Sequence, residues 1–220
     1  MRIFLLYLTL TISGFAAFSQ EIKSVEDKEA AYTKTINTRA EKIVATLGIS
    51  DAAKTMRLTK IIADQYRALN GIHNDRDELA KKIKENNEAK EITELELKKL
   101  DDRTTEKLNA LHQTYLSTLS KELNEAQVIQ VKDGMTYNVL PITYKAFLEM
   151  IPTLKDTEKA QIMTWLVEAR EHAMDAESSE KKHGWFGKYK GRINNYLSNE
   201  GYDLKKEGDE WKKRMDASKR

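Results

Sequence analysis

No cysteine occurs among the 220 residues, which excludes a disulfide framework, a thiolate metal site and an acylated lipoprotein N-terminus in one step. Proline and glycine are scarce, at two and nine residues, while one-third of the chain is charged. That mixture, rich in Lys, Glu, Ala and Leu, is what solvated helical faces need. An excess of one charge sign is also missing. Losing Arg2 with residues 1–19 leaves 36 of the 37 basic residues against 35 acidic ones, and no long block of one sign stands out. Nucleic acid is therefore not an expected partner. The one long apolar run, Ile3 to Ile12, is short for a membrane span, which takes about 20 apolar residues.

What the first residues do contain is an export pattern. Arg2 supplies a positive n-region, Ile3 to Ile12 an h-region, and Ala17-Phe18-Ser19 small residues where a signal peptidase reads. The expectation is a signal peptide over 1–19, cleaved after Ser19. The mature chain, 20–220, is then periplasmic or secreted and carries no membrane span.

Helical periodicity runs through the rest. Ile36, Ala40, Ile43, Val44 and Leu47 share one face, and Gly48 ends that helix. Ser50 can cap the next helix, with Asp51 in its positive first turn, and Leu58, Ile62, Tyr66, Leu69, Ile72, Leu79 and Ile83 mark its stripe. Asn86 and Asn87 mark a tip, after which Ile92 to Leu123 continue at threes and fours. The two long helices predict an antiparallel, coiled-coil-like hairpin whose polar distal part projects at about 72–122, and whose sparse apolar stripe a second copy could complete as a homodimer. Asn124 with Gln127 reads as a capping box for a short helix ending at Asp133-Gly134. Met135 to Leu140 is the one irregular stretch, Pro141 suits the first turn of another short helix, and Pro152 closes it. A largely apolar helix over about 156–174, with Ile162, Met163, Trp165, Leu166 and Val167, belongs at the centre of a bundle. The fold class is all-α, a single helical domain over 20–220.

The block 178–204 has a different texture. Gly184, Gly187 and Gly191 fall on one helical face, which predicts close approach by another helix or by a ligand. Trp185, Tyr189, Arg192 and Tyr196 form a second stripe, and Phe186, Ile193 and Leu197 a core stripe. The second stripe has two readings. Its aromatics can flank the core with their polar ends outward. Alternatively, flat rings beside Arg192, Asn194 and Asn195 suit a sugar, whose C–H face stacks while its hydroxyls bond guanidinium and amide groups. In the second reading Met135 to Pro141 flanks the site.

Catalytic signatures are sparse. Glu168 precedes His172 by one helical turn, a spacing that can orient an imidazole for acid–base work or form an ordinary helix pair. His183 is a secondary candidate beside them. No HExxH motif, nucleophile elbow, P-loop or dinucleotide fingerprint occurs, and His73, His112 and His183 lack metal-ligand spacing to His172. No metal and no cofactor are expected, and whether the chain is an enzyme stays open, leaning against.

Two segments, VKDGMTYNVLPITYKAFLEMIP from Val131 and WLVEAREHAMDAESSEKKHGWFGKYKGRINNYLSNEGYDLKKEGDEW from Trp165, resemble the exported bacterial family called domain of unknown function 3826. The likeness runs from about Tyr32 to Trp211. It implies sugar binding in polysaccharide-degrading bacteria and brings no catalytic residues. Leu123 to Gln127 is similar to the Leu-Thr-x-x-Gln helix start of small periplasmic chaperones, with Asn124 in place of threonine. The readings in order are a non-enzymatic carbohydrate-binding protein, a helical chaperone or adaptor using the hairpin surface, and a polysaccharide-directed enzyme.

Overall fold

The computed structural model describes residues 13–218 except Asn87, with side chains from Glu26 onward. The signal-peptide expectation falls mostly outside them. Residues 1–12 are not described, and 13–19 are described only as helical backbone. Eight helices and no strand make up the described residues: α1 (Ser13–Ala45), α2 (Ala52–Glu85), α3 (Lys90–Glu122), α4 (Glu125–Met135), α5 (Val139–Met150), α6 (Asp156–Met174), α7 (Ser179–Asn199) and α8 (Leu204–Ala217). None of them is long and apolar enough to cross a membrane.

Local chemistry sets the helix ends. Gly48 takes φ +66° after α1, a conformation that disfavours a Cβ. Asp51, not Ser50, caps α2, accepting from the amides of Ala53 and Lys54 at 2.8 and 3.1 Å. The capping box of α4 is present: the Gln127 amide donates to Asn124 Oδ1 and the Asn124 amide to Gln127 Oε1. Gln127 Nε2 also donates to Leu47 O across 80 residues, tying the α4 start to the end of α1.

The core falls into two clusters. The first joins α1 to α4 through Ile36, Ala40, Val44, Leu58, Ile62, Leu119, Val131 and Met135. Full burial of a side chain such as Leu58 or Leu119 contributes about 1.5–3 kcal/mol. The second joins α5, α6 and α7 through Phe147, Ile151, Ile162, Leu166, Phe186, Ile193 and Leu197. Met174, at the end of α6, belongs to the first cluster. Helices α2 and α3 pack side by side around the turn at 86–89, each about 50 Å long at 1.5 Å per residue. Between residues 81 and 99 no described side chain is buried, and Leu79, Ile92 and Leu95 are exposed.

Two further sequence expectations change. The irregular stretch shrinks to Thr136-Tyr137-Asn138, because α4 runs on to Met135 and α5 starts at Val139. The glycine stripe of α7 meets no helix: Gly184, Gly187 and Gly191 are exposed, with nothing within 4 Å of where a Cβ would sit. The α7 face turned to α6 is the one carrying Phe186, Tyr189 and Ile193.

Candidate functional site

Most of the residues singled out in the sequence meet along the seam between α6 and α7, where four-residue steps on each helix bring side chains face to face. His172 stacks on Trp185, ring centres 4.4 Å apart and planes 16° from parallel, and Lys188 Nζ sits 5.1 Å from the Trp185 ring centre. Tyr189 is buried beside His172. Arg192 lies over Trp165, its Cζ 4.5 Å from the ring centre, and donates to Glu168 at 3.5 Å. Tyr196 meets Trp165 edge-on at 5.3 Å. Glu168 thus pairs with Arg192, and His172 with an indole. The exposed Asn195 is not part of the seam, and Asn194 lines a separate groove with Trp211. His183 stacks on Tyr137 at 5.4 Å.

The histidine that does gather carboxylates is His112, on α3. Its Nδ1 lies 2.8 Å from Asp175 Oδ2, bent away from a straight hydrogen bond, and its Nε2 3.3 Å from Glu171 Oε2. These two carboxylates raise the imidazole pKa to about 9 against the opposing effect of burial. Glu171 also accepts from Lys132 at 2.8 Å and from Arg170, and Arg170 reaches Asp133 at 2.9 Å. Burial acts to raise the Glu171 carboxyl, but His112, Lys132 and Arg170 outweigh it and hold it at about 2. Lys182 Nζ donates to the carbonyls of Ala173 and Met174 at 2.8 and 2.9 Å, closing the C-terminus of α6. Burial pulls its pKa down to about 8, partly opposed by Asp175. This polar network lies where the two apolar clusters meet.

Beside it opens a cleft of about 560 Å³. Helix α1 contributes Arg39 and Lys42, α2 contributes Tyr66, and α4 contributes Gln130, Asp133 and Gly134. Tyr137 and Asn138 complete its wall. Gly134 is required for the close approach of α4 to α1, since a Cβ there would lie 2.9 Å from Ile43 Cγ1. Burial pushes the Tyr66 hydroxyl up to about 12, so it remains a donor. Tyr137 and Asn138 both adopt the left-handed region, at φ 59° and 56°. Asparagine tolerates this; for tyrosine it costs about 1–2 kcal/mol. The strain is held by the Asn138 amide donating to Asp133 O at 2.8 Å and by the His183 stack.

Of these lining residues, sequence reasoning reached only the turn, as a loop flanking the site. Arg39, Lys42, Tyr66 and Gln130 sit on ordinary amphipathic helices, and no spacing within one helix reveals a wall shared by three. A larger hollow, about 950 Å³, is a trough along α1 alone from Glu26 to Glu41 and gathers no groups from a second element. Among the described residues, no group of three or more His, Cys, Asp or Glu is arranged to hold a metal.

A family model described as protein of unknown function (DUF3826) matches residues 33–217. No curated protein matches the chain.

Proposed function

We propose that this chain, which belongs to the DUF3826 family, is an exported carbohydrate-binding protein without catalysis of its own, and that the sugar sits in the cleft between α1, α4 and the Tyr137 turn. The observation that carries the reading is the convergence in one recess of a Tyr137 ring on strained backbone with the amides of Gln130 and Asn138 and the Tyr66 side chain. Strain held in place by surrounding structure collects at binding sites. An aromatic face with a few placed polar groups is what orients a small ligand. The α6–α7 seam suits this less well, because His172 and Lys188 both lie against Trp185 and Arg192 lies over Trp165, whereas Tyr137 is met by the His183 ring alone.

Catalysis by histidine has little support. His112, with its pKa near 9, carries its proton at neutral pH and is a poor general base. Glu168 is engaged by Arg192 rather than by His172. A second reading, a chaperone or adaptor, is favoured by the exposed Leu79, Ile92 and Leu95 on the hairpin. It predicts suppression of client aggregation at equimolar ratio, and failure there removes it.

A glycan-array screen of the processed protein, followed by calorimetry on hits, tests the main reading. Tyr137→Ala should weaken a confirmed hit at least tenfold, with Trp185→Ala near wild type. The reverse pattern moves the site to the seam, and an array with no saturable hit rejects sugar binding.

A further inference from the structure

We infer that the cleft selects acidic saccharides, sugar chains bearing a carboxylate or sulfate that Arg39 and Lys42 engage. This rests on the reading of the cleft as a sugar site. Arg39 and Lys42 stand one turn apart on α1, so both point to the same side of the helix, and both line the recess. Among the described residues neither is paired with a carboxylate, whereas Arg57, Arg67, Arg76, Arg170 and Arg192 all are.

The single carboxylate in the wall, Asp133, is held by Arg170 at 2.9 Å with its side chain only 14% exposed. Its charge is therefore already neutralised inside the protein. Glu41, next in sequence to Lys42, faces the troughs on the other side of α1. Behind the wall the Lys182 ammonium lies close enough to Arg39 for the two to repel, with Asp175 offsetting its charge.

A recess with two uncompensated cations and one neutralised anion has a positive potential that a neutral sugar leaves unanswered. Covering those cations with a neutral ring would cost desolvation without recovering an ion pair. A guanidinium matches a carboxylate or sulfate bidentately, and an ammonium serves as a point charge beside it. The Tyr137 ring and the amides of Gln130 and Asn138 are left for the sugar's C–H face and hydroxyls.

The test is calorimetry on the purified protein with a galacturonic acid tetramer, its methyl-esterified neutral counterpart, a sulfated tetrasaccharide and poly-glutamate. The acidic tetramer or the sulfated one should bind at least tenfold tighter than the ester. Arg39→Gln and Lys42→Gln should each erase most of that preference, lowering affinity for the acidic tetramer far more than for the neutral ester. Preference for one oxyanion over the other assigns the group. Equal affinity for acid and ester, still lost in Tyr137→Ala, overturns the charge selectivity and leaves the sugar site standing. Poly-glutamate binding as tightly as the acidic sugar overturns it as mere polyanion attraction. Binding of none of the saccharides removes both readings.

Discussion

Raising the pH from 6 to 8.5 should destabilise the protein through one side chain, His112. Its pKa stands near 9 in the folded chain against about 6.5 when unfolded. The folded state therefore holds a proton that the unfolded state has released. Stability from this source is complete below about 6.5, declines as the pH rises, and is gone above about 9. A shift from 6.5 to about 9 corresponds to about 3 kcal/mol at its limit. Lys182 acts oppositely: with a folded pKa near 8 against about 10.4 unfolded, it adds stability as the pH climbs through that interval. The window from 6 to 8.5 therefore isolates His112 best. Urea denaturation followed by far-ultraviolet circular dichroism should show the wild type losing most of that energy across the window. His112→Gln should start about 2–3 kcal/mol lower at pH 6, because Asp175 and Glu171 lose their cation, and then lose nothing further, rising slightly at the top of the window as Lys182 begins to contribute. Parallel decline of the two proteins would refute the assignment. On the acid side Glu171 sets the limit. Its carboxyl, held near 2, contributes stability present above about 4.3 and lost as the pH falls through 2.

Further tests address packing. Gly134→Ala places a methyl 2.9 Å from the buried Ile43; urea titration should give a loss of about 1–2 kcal/mol, overpacking outweighing the gain in helix propensity. Gly187→Ala and Gly191→Ala meet open space, and calorimetric melts should show each stabilising by about 0.5–1 kcal/mol; a loss would place that face against a partner. Leu100→Ala, at a site 4% exposed, should cost about 2–3 kcal/mol, whereas Leu95→Ala, 52% exposed, should change stability by less than about 0.5 kcal/mol.

The parts legible in the sequence are those decided within a few residues. Gly48, the Asn124–Gln127 box, Pro141 and the apolar face of α6 announce themselves because caps and periodicity are local. Helix α8, capped by Asp203, escaped notice because its apolar face is only Leu204, Trp211 and Met215 among charged residues and none of its side chains is buried. The central helix looked apolar with a narrow polar stripe, yet Arg170 and Glu171 on that stripe are shielded by Asp133, Lys132 and His112. Those partners lie 37 to 59 residues away, beyond any spacing rule. The candidate site was legible only at its turn, since Tyr137's strain and Gly134's contact with Ile43 depend on how α1 and α4 cross.

Met174 carries a consequence for the order in which the chain can mature. It fills a position in the core built by α1 to α4, and the carbonyls at its end of α6 are closed by Lys182, one segment later. A chain emerging from the ribosome N-terminus first therefore presents four helices with a vacancy in their core and His112 without its counter-charges. Neither gap can close until about residue 175 is free. The first half is assembled early but sealed late, and during that interval it is the form most open to proteases and holdases.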